Sequence, residues 1–436
     1  MIIPLIAEQF LTISIGMIDS VMVAPIGETA ISAVSLVDSV MILLVNVFTA
    51  VATGGGIIAG QMLGMKRADK GSKVVEQTLF FSVASAMLVM GIMYLGRSFI
   101  FSYLFGKAEV EVLQHASIYY LIMSSSVPFL ALYNVGASTY RMMGNAKLPM
   151  MMSLAMNLIN LIGNYLLIKV FGMGIAGAAV SSLCSRIFSG VLITKLIMNK
   201  QNVLHIRTLW IKPSMDILKK IMAIAIPFGI ENSLFQLGKI LVLSLVTGLS
   251  TAAITANAIA NNVGSYAVVM GSSIGVALSI VAAHCVGAQD FKQVRYYTKK
   301  LISYAYGVLF VTNVLIIMAL PVIMWLYKIS NETEVLVRQL LIYHSVCVVL
   351  VWSPSFMLPS ALRAASDVKF CMVVAVGSMW IFRIALSYVL VQMVGLGILG
   401  VWVAMTTDWL VRAILFTLRY RGDKWQTNYL AKGVEL

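Results

Sequence analysis

Charge is what this sequence has least of. Asp, Glu, Lys and Arg together make up 11% of its 436 residues, against 60% hydrophobic residues and a mean hydropathy of +0.93. No soluble fold could hide that much apolar surface, which excludes the ordinary globular classes. Acids are scarcer than bases, 17 against 31, giving a net charge of +14. Such a balance can signal nucleic-acid binding only if the bases cluster on a soluble face. The four cysteines, Cys184, Cys285, Cys347 and Cys371, fall singly in or near apolar stretches and have no metal-ligand spacing, so they read as packing residues. The four histidines, His115, His205, His284 and His344, are too scattered to suggest a metal site or a catalytic triad. Nothing supplies an adjacent nucleophile and base, so an intramembrane enzyme finds no support.

What is present is a series of about twelve apolar stretches separated by short polar or basic turns. They begin near residues 1, 30, 75, 112, 150, 175, 216, 252, 298, 336, 370 and 397. Each has roughly the 20 residues a bilayer-spanning helix needs. Lipid cannot hydrogen-bond backbone groups, so these segments are expected to be helices, and the fold class is an all-α integral membrane protein. The first span opens almost at once after Met1, with no basic flank and no small-residue cleavage site. It does not have the usual form of a signal peptide. Either this helix starts unusually early or the true start codon lies upstream.

The basic residues obey the membrane. With the short loops numbered along the chain, the even loops and the C-terminal tail hold 22 of the 31, while the odd loops hold Arg97, Lys107, Lys169, Lys328 and Arg338. The positive-inside rule then places the even loops and both termini in the cytoplasm of a multi-pass cell-membrane protein. Nucleic acid is not needed to explain the charge.

Sliding the sequence against itself reveals two halves 223 residues apart. Pro4 and Glu8 land on Pro227 and Glu231, and Gly172, Gly174 and Gly177 land on Gly395, Gly397 and Gly400. With one residue of slippage, "RMMGNAK" from Arg141 matches "RAASDVK" from Arg363. About six spans per half is an even number, so the repeats are parallel. Parallel repeats about an axis along the membrane normal are one plan of secondary transporters, with the site between them near the midplane. The expected organisation is an N-terminal six-helix lobe over 1–194, a cytoplasmic linker over 195–215 and a C-terminal six-helix lobe over 216–436.

Three soluble-enzyme patterns occur inside these apolar runs. "GMGIAG" at 172–177 and "GLGILG" at 395–400 fit GxGxxG, but each links two spans and has no acidic residue about 20 positions on. Tight turns and close helix approach explain them better. "GSSIG" at 271–275 fits a nucleophile elbow but lies within an apolar helix.

Several longer stretches resemble the multidrug and toxic compound extrusion (MATE) transporters over nearly the whole chain. They are "PLIAEQFLTISIGMIDSVMVAPIG", "ATGGGIIAGQMLGMKRADK", "YRMMGNAKLPMMMSLAMNLINLIGNYLLIKVFGMGIAGAAVSS", "IPFGIENSLFQLGK" and "GVALSIVAAHCVGAQD". The resemblance implies cation-coupled export of organic compounds by alternating access, without a cofactor, in a chain expected to act as a monomer in the bilayer. A flippase for lipid-linked saccharides, from the same wider superfamily, is the alternative. It would carry a strongly basic central cavity, whereas the candidate cavity residues lean acidic.

Ionisable residues inside spans are candidates for function, because a charge near the bilayer centre costs at least ~2.5 to 3.5 kcal/mol on insertion scales. Glu8, Asp19, Asp38, Glu231, Lys239, Arg383, Asp408 and Arg412 qualify. Asp19 leads them, since its helix has no base to neutralise it and a carboxylate in a partly dry cavity can exchange a proton near neutral pH. The resemblance places it in a polar network with Asn160, Asn164 and Ser182. Asn164 stands where many relatives have a second aspartate, which weakens a two-carboxylate sodium site and favours H+ over Na+ as coupling ion. Asp19 could instead only pin helix packing through these amides.

Glu8 and Glu231 each follow a proline by four residues. They either flank the cavity and attract cations or cross-link neighbouring helices. The resemblance puts an acid about one turn beyond Glu231, where this chain has Phe235. Pro4 marks an expected helix bend, and Asp38, with Asn261 as its repeat partner, is a further cavity candidate. Asp408 and Arg412, spaced i, i+4, read as a local structural ion pair. The 28 Met, 7 Trp, 17 Tyr and 18 Phe would accommodate varied flat compounds, although lipid-facing helices are rich in both anyway, so no aromatic box is assigned.

Overall fold

Long uninterrupted runs of Leu, Ile, Val, Met and Ala, broken by Gly, Pro and Asn at their ends, give helices throughout the computed structural model, with no strand among the described residues. The structure describes residues 1–103, 109–208, 211–327 and 329–431, without the side chains at 14–18, 20, 21, 103 and 431. Lys107, Lys328 and Lys432, counted above among the loop and tail bases, lie outside the described residues.

The helices follow the expected order. The long ones of the first half are α1 (Ile2–Val23), α2 (Glu28–Gly64), α3 (Ala68–Leu95, followed by a short helix Arg97–Tyr103), α4 (Val110–Ser125 and Val127–Met142, bent by 47°), α5 (Lys147–Val170) and α6 (Gly174–Ile197). After the connecting segment come α7 (Met215–Val246), α8 (Thr251–Gly287), α9 (Phe291–Tyr327), α10 (Asn331–Ala364), α11 (Val368–Met393) and α12 (Gly397–Arg421), then a short α13 (Lys424–Ala431). Among the described residues, ten of these are long and apolar enough to cross a membrane, and the bent α4 makes eleven. In α1 the apolar stretch within the described residues is Ile2–Ile13.

The chain forms two compact units, Met1–Gly229 and Ile230–Glu435, with the division falling inside α7. Their backbones repeat each other at the residues where a side chain is least welcome. Left-handed conformations occur at Gly172 and Gly174 (φ 65° and 57°) and at Gly395 and Gly397 (φ 76° and 54°), so both GxGxxG matches are turns between spans. Lys66 (φ 60°) is matched by Gln289 (φ 56°), and Gly144 (φ 80°) by Ser366 (φ 59°). The third glycine of each motif serves close approach, since a Cβ on Gly177 would stand 3.0 Å from Leu167 and one on Gly400 would stand 3.0 Å from Leu390. Each side of the repeat is closed by a segment that crosses back along its third helix. In the first unit the Gln77 amide donates to Lys212 O (2.8 Å) and accepts from Ser214 N (2.9 Å). In the second, α13 buries Trp425 and Tyr429 edge-on to Phe291 at the start of α9.

Candidate functional site

The first unit collects its polar side chains where α1, α5 and α6 meet. Asn160 and Asn164 lie one turn apart on α5, so their amides share one face. Asn164 Nδ2 donates to Asp19 Oδ1 at 2.8 Å and to Asn160 Oδ1 at 3.3 Å. Asn160 Nδ2 in turn donates to Ser182 Oγ on α6 at 2.9 Å, and Ser181 Oγ donates to the Asn160 carbonyl at 2.7 Å. The four network residues expected from the sequence are thus in one hydrogen-bonded chain. Asn160, Asn164 and Ser182 are buried and Asp19 is partly so. Asn164 Oδ1 is buried without a hydrogen bond, which leaves an acceptor beside the carboxylate. Gly163 permits this contact of α5 with α6, because a Cβ there would fall on the Ser181 side chain.

Asp38 on α2 belongs to the same electrostatic neighbourhood. It interacts with Asp19 and with Arg186 of α6, and Arg186 also acts on Asp19. Arg186 was not singled out in the sequence. Its Nη1 donates to Ser126 Oγ at the bend of α4 (2.7 Å), which fixes a cation near two carboxyl groups. A charge pattern along a single helix could not reveal it, since its partners lie on α1, α2 and α4. Asn261, the repeat partner of Asp38, donates to the Asn257 side-chain oxygen at 3.0 Å, and Asn257 also accepts from Trp402 Nε1 at 3.0 Å.

Glu8 and Glu231 are both held by arginines. Arg141 donates to the two Glu8 oxygens at 2.6 and 3.3 Å, and Arg363 donates to Glu231 Oε1 at 2.6 Å. Arg141 and Arg363 lie near the ends of α4 and α10, so each pair ties the first helix of a repeat to its fourth. Pro4 stands in the first turn of α1, whereas its equivalent Pro227 lies inside α7.

The second unit is built differently at the corresponding place. Asp408 and Arg412 form the i, i+4 pair at 2.7 Å, and Ser378 Oγ donates to Asp408 Oδ1 (2.6 Å). Arg383 and Lys239 sit near this pair, and Lys239, Arg383 and Arg412 all lie over the Phe235 ring, at 4.9, 5.2 and 5.8 Å from its centroid. His344 meets Trp402 and Trp409 edge-on at 5.3 and 5.5 Å. The acidic lean expected of the interior therefore describes Asp19 and Asp38 in the first unit, while the second gathers bases and aromatic rings. Among the described residues no three His, Cys, Asp or Glu are grouped as a metal site would require.

The family model MatE matches residues 4–166 and again 227–389, two matches 223 residues apart. Probable multidrug resistance protein YoeA of Bacillus subtilis is 26% identical over 449 residues, covering 100% of this chain and 95% of the relative. Probable multidrug resistance protein NorM of Thermotoga maritima is 23% identical, covering 97% and 91%. Among solved structures, a crystal structure of MATE in complex with MaL6 superposes with a TM-score of 0.90 at 17% identity, covering 98% of this chain and 95% of the other.

Proposed function

Because the chain belongs to the MatE family, whose members are transporters and not enzymes, we propose that it is a secondary antiporter that exports small, amphipathic, cationic organic compounds in exchange for a coupling ion. The relatives are named as multidrug resistance proteins, which does not favour the flippase for lipid-linked saccharides. The coupling ion in this reading is a proton bound at Asp19, with sodium as the alternative.

The supporting observation is the continuous chain Asp19–Asn164–Asn160–Ser182. A proton added to Asp19 converts an acceptor-only carboxylate into a group that also donates. The buried, unbonded Asn164 Oδ1 is the acceptor at hand. Protonation would rearrange the contact between α1 and α5 and so favour one conformation over another. A ligand shifts such an equilibrium only by its differential affinity for the two states. Substrate and proton must therefore prefer opposite ones. Asp38 adds negative charge that attracts a cationic substrate, and Arg186 limits how much of it accumulates.

In this reading the lobes 1–194 and 216–436 move about the linker 195–215 in a monomeric protein of the cell membrane, with both termini in the cytoplasm. The test is efflux of a fluorescent organic cation from liposomes holding the purified chain, under an imposed proton or sodium gradient. Efflux that follows only the proton gradient and disappears in Asp19→Asn supports the reading. Efflux that ignores both gradients, or survives the substitution, overturns it.

A further inference from the structure

Arg383 is 9% exposed, on a π-helical turn of α11 (Met379–Ala385), and among the described residues no acceptor lies within hydrogen-bond reach of its guanidinium. Such turns interrupt the regular helical ladder and are frequent at functional sites. At the repeat-equivalent place the first unit has Asn160, so a neutral amide in one half is a buried cation in the other. A guanidinium has five N–H donors and no acceptor, and leaving it unanswered inside a membrane-spanning unit is costly.

The surroundings do not supply the missing partner. Asp408 is the acid whose charge reaches Arg383, yet its Oδ1 already accepts from Arg412 Nε and from Ser378, and its Oδ2, buried without a hydrogen bond, does not reach the Arg383 guanidinium. Lys239 is a second cation without a carboxylate partner among the described residues, and it repels Arg383. Gly238 brings the two together, because a Cβ there would collide with Met379 and approach Ile384 on the Arg383 turn. Three cations thus face one carboxylate, with Phe235 between them. Cation–π contact offsets part of the desolvation but leaves the N–H donors unused.

We propose that Arg383 and Lys239 form a binding site in the C-terminal unit for the carboxylate of an aromatic organic anion, with Phe235, the ring both cations already face, receiving its flat apolar body. The planar fork of an arginine matches a carboxylate in two parallel hydrogen bonds, and the lysine adds a point charge. The site deepens the export reading by assigning recognition of an aromatic carboxylate to this residue pair, and it rests on that reading for transport but not for binding.

The test uses the purified full chain in a neutral detergent and calorimetric titration with naphthalene-2-carboxylate, its neutral carboxamide serving as control. The intact protein should bind the carboxylate about tenfold or more tightly than the amide, and Arg383→Gln and Lys239→Gln should each remove about tenfold of carboxylate affinity while leaving the amide unchanged. Equal binding of acid and amide, or carboxylate binding unaltered in the variants, overturns the proposal. If Arg383→Gln fails to fold, Lys239→Gln decides, since that side chain is exposed. Export of an organic cation, measured in parallel, separates the two readings. Charge-dependent binding without gradient-driven export leaves the anion site standing and removes the antiport, and the converse result removes the anion site alone.

Discussion

Arg363 grips Glu231 at 2.6 Å between α10 and α7, and in the first half their repeat partners Arg141 and Glu8 meet at the same distance between α4 and α1. Glu8 is nearly inaccessible at 4% side-chain exposure, and the Glu231 pair is 12% and 13% exposed. Both halves thus use one charged clamp to close their first helix onto their fourth. A carboxylate committed to an arginine is not free to attract a cation, which turns attention to Asp19 and Asp38 for that role.

Removing the acid of such a clamp takes away the negative charge that balances an arginine largely shut off from water, whereas removing both partners leaves no charge to balance. Glu231→Ala should therefore lower stability by roughly 3–5 kcal/mol. The double replacement Glu231→Leu with Arg363→Met should recover most of that loss. Melting temperatures of the three purified proteins in one detergent check this. A double variant as unstable as the single would show that the pair's worth lies in more than charge compensation.

Asp19→Asn keeps an oxygen that can accept from Asn164 Nδ2, so the α1–α5 contact should survive. The expected result is a melting temperature close to that of the intact protein with gradient-driven efflux reduced to background. Asn164→Leu behaves differently, because it strips Asp19 and Asn160 of their donor. Leaving buried acceptors unanswered costs about 1–3 kcal/mol, so this variant should lose stability as well as transport. Comparing the two separates the chemistry of the carboxyl group from the packing it supports.

Most of the fold was legible because lipid imposes it. Of the twelve apolar runs expected, eleven are long enough to span among the described residues once the bent α4 is counted. These, the repeat and the ends of the helices follow from apolar length and from glycine and proline positions. The Asp408–Arg412 pair was equally visible, since i, i+4 neighbours meet on any helix. Arg141 and Arg363 were not, because they read as basic loop residues. The signal that could have found them was in the repeat, where Glu8 and Arg141 recur together as Glu231 and Arg363. Arg186 and the grouping of Lys239 with Arg383 depend on contacts between helices far apart in sequence, which periodicity does not encode.

Two glycines test how tightly the helices are packed. A Cβ on Gly190 would stand 2.6 Å from the Phe129 carbonyl oxygen, which belongs to the backbone of α4. At Gly238 the obstacle is the terminal methyl of Met379, a flexible side chain that can turn away. Gly190→Ala should destabilise by about 1–3 kcal/mol and Gly238→Ala by less, because overpacking is worst where nothing can move. Thermal melting of both variants decides, and equal losses would mean that Met379 is as constrained as the backbone.

The orientation of the chain can be tested with single cysteines in a background lacking Cys184, Cys285, Cys347 and Cys371. Lys292 lies at the start of α9 in a basic loop and Arg97 just beyond the end of α3, and both are exposed. A cysteine at 97 should react with a membrane-impermeant maleimide added to intact cells, and one at 292 only after permeabilisation. The reasoning is energetic, since Lys and Arg near span ends are retained on the cytoplasmic side during insertion. The reverse pattern would place the basic loops outside and invert the direction assigned to transport. Labelling of both positions in intact cells would show the chain inserted in two orientations, and the proposed fixed inward-to-outward export would then fail.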